Sequence, residues 1–167
     1  MMKRLAILAI VPALLVACGG PAEEEAAPEA QAAGAKLNVT APAPVEVPAP
    51  REVASDEDWE ARAHNKEIEV LQIINVINPI AAFITEGFEQ YGDRFSPTLH
   101  EEWEDTQAQL TKATTLYDSC KERKAAGNFD KQLFLDLEET WQLLVKTGVA
   151  GVRAKSMVDA ELGKLTG

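Results

Sequence analysis

The sequence predicts an all-α fold: an antiparallel bundle of three long helices, or of four if Pro79 divides the first. Apolar residues recur three and four positions apart over three long stretches, which is the period of one helix face. No stretch shows the alternation of a half-buried strand or the turn of a two-residue hairpin. The length of 167 residues leaves room for one compact domain.

Residues 1–17 have the features of an export signal. Lys3 and Arg4 precede an apolar run from Leu5 to Ala17. As a helix this run would span only about 20 Å, which is short of the roughly 30 Å hydrocarbon core of a bilayer. A signal peptide therefore explains the run better than a transmembrane helix does.

The end of the run, Leu15-Val16-Ala17-Cys18, resembles the lipobox of bacterial lipoprotein precursors. The resemblance implies cleavage before Cys18 and acylation of its thiol and of the new amino terminus. Several acyl chains anchor a protein stably, since each buried CH₂ contributes about 0.8 kcal/mol. Gly19 stands where an aspartate would retain a Gram-negative lipoprotein in the inner membrane, so the resemblance implies the outer membrane, facing the periplasm. An ordinary signal peptide with a chance cysteine is the alternative.

Residues 18–55 are predicted to form a disordered tether to a helical domain at 56–167. The stretch 19–55 contains six prolines and eleven alanines and has no sustained apolar period. The formal net charge is −11 and no basic stripe occurs, so nucleic acid is excluded as a partner. The membrane is expected to hold the protein through the lipid alone. Cys120 then lacks an intrachain partner, and we expect it to be buried.

The first helix is predicted to begin after Ser55, an N-cap residue followed by three acidic residues that the helix dipole favours. Pro79 removes the hydrogen bond to the Asn75 carbonyl and disfavours helical geometry just before it. The segment is therefore one kinked helix or two shorter ones. Its main apolar face consists of Val70, Ile73, Ile74, Ile77, Ile80, Ala81, Ile84 and Phe88.

Four apolar residues of this helix lie off its main face and need cover: Ile68, Leu71, Val76 and Phe83. A central position of the helix, between two neighbours, would bury them most simply. Otherwise they form an exposed patch of the kind that binds partners. These four are the candidate partner-binding residues.

The second helix is predicted to follow a turn at residues 92–94. Ser96 and Pro97 are the preferred residues for the N-cap and the first helical position, and Gly127 is a good stop. The apolar seam between them consists of Leu99, Trp103, Thr106, Leu110, Ala113, Tyr117 and Cys120.

The third helix is predicted to start after Asn128 as its cap. Gly148 and Gly151 lie in the middle of it, where each costs about 1 kcal/mol relative to alanine. Their small size serves either close packing against bulky side chains or a cavity that, with Pro79, admits a ligand. Pro79, Gly148 and Gly151 are the candidate pocket residues. The seam consists of Leu137, Trp141, Leu144, Gly148, Gly151, Val158, Leu162 and Leu165.

No catalytic or metal-binding constellation stands out. His64 has Glu60 and Glu67 at neighbouring helical positions, but di-iron bundles need two Glu-x-x-His motifs and neither histidine fits one. His100 lies in a charged run without the second histidine of a zinc protease. Motifs for a nucleophilic serine, a phosphate loop or haem attachment are also missing. We expect no enzyme activity, no metal and no cofactor.

The sequence thus predicts a lipid-anchored bundle of the cell envelope that serves as a non-enzymatic interaction or scaffold module for another envelope protein. The alternative is a carrier or sensor that holds a small apolar ligand between its helices.

Overall fold

The computed structural model describes residue 37 and residues 39–165. Three α-helices fill most of this range: α1 at Trp59–Tyr91, α2 at Pro97–Ala125 and α3 at Lys131–Leu165. A 3₁₀ turn at Gly92–Arg94 joins α1 to α2, and the described residues contain no strand. The all-α prediction is confirmed, and the three helices pack against each other. The predicted signal peptide, the segment that resembles a lipobox and Cys18 lie outside the described residues.

Helix α1 runs through Pro79 as one helix of 33 residues, so the alternative of four helices does not occur. It begins at Trp59 because the Asp58 carboxylate accepts the Ala61 N–H at 3.1 Å. The predicted start after Ser55 is wrong. The Ser55 carbonyl instead accepts the Asp58 N–H at 3.1 Å, which closes a turn before the helix.

By length and composition alone, the stretch from Trp59 to Arg94 could cross a membrane. Core helices of soluble proteins, which are mostly buried, pass the same test; in the most apolar stretch of this helix 22% of the residues are buried.

The ends of α2 follow local rules. Ser96 accepts the Leu99 N–H and Pro97 takes the first helical position, as predicted. Gly127 has φ +75°, and the N–H groups of Gly127 and Asn128 donate to the carbonyls of Lys124 and Arg123. This pattern is a Schellman motif, which uses Asn128 to end α2.

Helix α3 is therefore capped by Asp130 and not, as predicted, by Asn128. The Asp130 carboxylate accepts the Leu133 N–H at 2.8 Å, and this hydrogen bond lowers the pKa of Asp130.

Helix α3 is the central element of the bundle, since its backbone closely approaches both α1 and α2. Helices α1 and α2 meet through side chains, for example where the Tyr117 hydroxyl donates to Glu67 at 3.2 Å. The expectation that the first helix is central is wrong. Close approach to α3 is possible because small residues lie along its buried side: Thr140, Thr147, Gly151 and Ala154. Both threonine hydroxyls donate to carbonyls four residues earlier in α3.

Candidate functional site

An open apolar groove lies between α1 and α3. It encloses about 330 Å³, and its polar surface is negligible. Val76, Val149 and Val152 are 58%, 62% and 53% exposed along it. We call this surface the groove; its lining consists of Ile73, Val76, Ile77, Ile80, Leu144, Val145, Gly148, Val149 and Val152.

A lysine lies over an aromatic ring about one turn beyond each end of the groove. At one end, the Lys66 ammonium is 5.2 Å from the centre of the Trp141 ring and 2.8 Å from a Glu138 oxygen. At the other end, the Lys155 ammonium is 4.2 Å from the centre of the Phe83 ring and 2.7 Å from Asp159. Both contacts join α1 to α3. The apolar lining of the groove is therefore flanked at each end by a lysine that is paired with a carboxylate.

The Lys66 and Glu138 pair shifts the pKa of both groups. The hydrogen bond from Lys66 lowers the pKa of Glu138. Burial alone would lower the pKa of Lys66, but hydrogen bonds to Glu138 and Glu69 more than offset this and raise it. Each shift favours the charged form, so the pair stays ionised at neutral pH.

Of the predicted pocket residues, Gly148 lines the groove. A Cβ built on Gly148 would lie 3.5 Å from Ile77 Cγ1, which is ordinary van der Waals contact. Close packing therefore does not require glycine at this position, and the missing side chain leaves part of the groove open. Gly151 faces Ile80 and lines a smaller cavity of about 10 Å³ beneath the groove. Pro79 is exposed and lines neither space.

A second feature of α1 is an extended segment, residues 39–54, that lies along it; we call this segment the strap. The Asn75 side chain accepts the Val45 N–H at 2.7 Å and donates to the Val45 carbonyl at 2.8 Å. Asn65 holds both main-chain groups of Arg51 in the same way, at 2.8 Å each. Residues 39–54, which the sequence assigns to the tether, thus hydrogen-bond to α1 through Val45 and Arg51.

Further contacts hold the strap at both ends. His64 donates a ring N–H to the Ala49 carbonyl at 2.9 Å. The Ala54 N–H donates to Asp58, the residue that caps α1. Leu37, which precedes the strap, packs beside Gly87 and joins the core cluster around Ile84. The chain thus runs antiparallel to α1 from Gly87 back to the start of the helix.

Two of the predicted partner-binding residues, Ile68 and Leu71, lie on the face of α1 that holds the strap. Ile68 is only 8% exposed but belongs to none of the three core clusters. It lies one turn from His64 and two turns from Asn75 on the same helix face. Leu71 is half-buried and shares that face. From this position we infer that the strap covers both residues, in agreement with the burial of Ile68.

The other two candidates lie on the α3 side of α1. Val76 is exposed in the groove, whereas Phe83 is half-buried under Lys155 at one end of it. The four residues predicted as one patch are thus divided between two faces of α1.

The residues around His64 serve structural contacts. Glu60 pairs with Arg51 of the strap at 2.7 Å. Glu67 pairs with Lys124 of α2, and burial together with the Glu67 charge raises the pKa of Tyr117. No group of three or more potential ligands placed to hold a metal occurs among residues 37 and 39–165.

Cys120 is 1% exposed and packs in the cluster of Ala63, Leu133 and Leu137. Burial, aided by the nearby Asp136 charge, raises the pKa of its thiol to about 11. The buried position agrees with the expectation from the sequence.

Sequence reasoning missed the two asparagines and two of the exposed valines. Val149 and Val152 lie off the seam of α3 and next to Gly148, so their spacing was an available signal. Asn65 and Asn75 form no pattern that distinguishes them from other polar residues of a helix surface.

The fold and these surfaces define a class: an α-helical domain of three helices with a docked N-terminal strap and an open apolar groove. Comparison with protein families, curated proteins and solved structures found no match for this chain.

Proposed function

We propose that this chain is a lipid-anchored, non-enzymatic interaction module of the bacterial cell envelope, and that the groove binds an apolar helix of its partner. The observation that carries the proposal is the exposure of Val76, Val149 and Val152 around one continuous apolar lining. Exposed apolar patches of this kind on soluble domains usually mark binding surfaces.

The dimensions of the groove support a helical partner. Its lining covers residues 73–80 of α1 and 144–152 of α3, so each helix contributes about two turns, or roughly 10 Å. An amphipathic helix presents anchors at the matching spacing of three and four residues. Gly148 leaves space for one side chain of that helix at the centre of the lining.

The bundle that presents this groove is proposed to run up, down and up, the antiparallel order predicted from the sequence. One core cluster supports this order because it joins Ala63, near the start of α1, to Leu133, near the start of α3, and to Cys120, near the end of α2. Another joins Ile84, near the end of α1, to Leu99, near the start of α2, and to Val158, near the end of α3.

The partner hypothesis is tested by the double change Val149→Asp and Val152→Asp. Both side chains are more than half exposed, so the fold should survive, while two carboxylates in the groove should abolish capture of the partner in in-host cross-linking. Leu135→Asp is the matched control, since Leu135 is an exposed apolar residue of α3 outside the groove lining. Undiminished capture by the double variant would refute binding in the groove.

The anchor is tested separately by Cys18→Ala with a cleavable non-lipoprotein signal. We expect the protein to move from the membrane fraction, the outer membrane in a Gram-negative envelope, to the periplasmic fraction. Retention of this variant in the membrane would argue against the lipid anchor without affecting the groove.

A small apolar ligand is the second candidate, because about 330 Å³ with an almost purely apolar lining is within the range of small-molecule sites. Native mass spectrometry of the protein purified from its host distinguishes the candidates. A stoichiometric apolar compound would support a carrier or sensor, and the bare polypeptide mass would eliminate it.

A further inference from the structure

The strap is held mainly through its main chain. Asn75 and Asn65 each hold the N–H and the carbonyl of one residue, Val45 and Arg51 respectively. Among the side chains of the strap, Arg51 forms an ion pair with Glu60, which is about half exposed at both ends and contributes little. The helix face thus recognises an extended backbone, with Ile68 and Leu71 as the apolar surface beneath it.

The prolines of the strap suit this mode of binding. Val45 follows Pro44 and Arg51 follows Pro50, so the two residues that are held are six positions apart. Six residues make two turns of a polyproline II helix, which places both residues on the same side over about 19 Å. Asn65 and Asn75 are separated by about 15 Å along α1, which matches a strap that crosses the helix obliquely.

Prolines also reduce the cost of binding, because they restrict the free segment to an extended form before it docks. Proline lacks an N–H, whereas Val45 and Arg51, the two residues that the asparagines hold, each have one. Each asparagine is therefore paired with a strap residue that can donate its N–H and that directly follows a proline.

We propose that this face of α1 is a recognition site for an extended, proline-flanked peptide, filled within one molecule by residues 39–54, and that a second copy of this chain supplies the same segment in trans. This goes beyond the proposed function, because it concerns a different face of α1 from the groove. Every copy carries both the site and its ligand. A single turn, from Ser55 to Asp58, connects them, and its opening would free the strap for exchange.

Amide hydrogen exchange of the detergent-solubilised full-length chain tests the docking itself. The amides of Val45 and Arg51 should exchange at least tenfold more slowly than in a free peptide of residues 39–54. Asn75→Ala should release Val45, and Asn65→Ala should release Arg51. Asn78→Ala is the control on the same helix, since the hydrogen bonds of the strap do not involve Asn78. Exchange of both amides at the free-peptide rate in the unaltered chain would overturn the proposal.

Exchange between copies is tested with a complementary pair. An acceptor chain carries Val45→Pro and Arg51→Pro, which remove both N–H donors of the strap and leave the site on α1 intact. A donor chain carries Asn65→Ala and Asn75→Ala, which free its strap and favour helix at both positions. Circular dichroism and urea unfolding verify that each chain folds.

The mixture of acceptor and donor should form a 1:1 complex in analytical ultracentrifugation, while each chain alone stays unassociated. A control acceptor with Glu46→Pro keeps both N–H donors, so its own strap competes for the site and it should bind the donor more weakly than the acceptor does. The free peptide of residues 39–54 should bind the acceptor and not the donor. An acceptor that binds neither the donor chain nor the peptide would overturn the site, even where the groove still captures its partner.

Discussion

Two neighbouring faces of α1 differ in their chemistry. The face beneath the strap uses polar side chains, Asn65, His64 and Asn75, to hold main-chain groups, and Ile68 on this face is buried. The groove face offers almost no polar atom and leaves Val76 exposed. One face thus holds the strap by hydrogen bonds to its main chain, whereas the other offers apolar surface and open space.

The largest expected effect separates the two faces by stability. Ile68→Ala should lower the free energy of unfolding by about 2 kcal/mol or more, since it removes a buried side chain beneath the strap. Val76→Ala should change it by less than about 0.5 kcal/mol, because Val76 is already in contact with solvent. Urea unfolding measures both. Equal costs would mean that the two faces are not different in burial, and the comparison would fail.

A smaller effect distinguishes two glycines of the helix contacts. Gly148→Ala should raise the free energy of unfolding by about 1 kcal/mol, since the new methyl group meets Ile77 at ordinary contact and alanine favours helix. Gly87→Ala should lower it by about 1 kcal/mol, because its Cβ would lie 3.0 Å from Cγ1 of the fully buried Val158, and this close contact outweighs the helix preference of alanine. Thermal unfolding should show the two midpoints moving in opposite directions. A fall in the midpoint for Gly148→Ala would indicate that the groove is more tightly packed than described.

The smallest expected effect concerns the charged end of the groove. The pKa of Glu138 is lowered below its ordinary 4.5 by Lys66, so its contribution is present above about pH 4.5 and is lost as the pH falls through the lowered value. The pKa of Lys66 is raised above 10.5, so its contribution is present below that pH and is lost as the pH rises through the raised value.

Glu138→Gln should therefore cost about 0.5 to 1 kcal/mol at pH 7, and the difference from the unaltered chain should shrink toward zero in strong acid. Unfolding by urea at several pH values measures this. The neutral asparagines beneath the strap do not titrate in this range, and Asn75→Ala is the matched variant whose cost should stay constant. A constant cost for Glu138→Gln would show that the Lys66 contact does not depend on the charge of the carboxylate.

Local chemistry allowed the ends of α2 to be predicted from the sequence, and it also explains an error nearby. Ser96 and Pro97 each act within their own turn, so their neighbours in the sequence are sufficient to place the start of α2. Asn128 satisfied the rule for an N-cap, but its N–H already ends α2, and Asp130 caps α3 instead. Competition between two adjacent helix ends is not visible in the residue types alone.

The docking of the strap was not predicted, because the composition of a segment indicates what it can bury and not which hydrogen bonds its main chain forms. Residues 39–54 show no sustained apolar period, and the hydrogen bonds that hold them are made by main-chain groups that every sequence possesses. The groove was predicted in part. Gly148 signalled open space between helices, but the position of Val149 and Val152 beside it depends on α3 being the central helix, which the seams did not distinguish.

Main-chain recognition by Asn65 and Asn75 also determines which substitutions natural variation can accept. At positions 45 and 51 any residue with an N–H preserves the hydrogen bonds, so only proline is excluded there. The two asparagines have no such freedom. Aspartate at either position would keep an acceptor but lose the amide donor, and it would place a negative charge against a carbonyl oxygen. The side chains of the strap can therefore diverge widely among descendants of this protein while the two amides on α1 cannot.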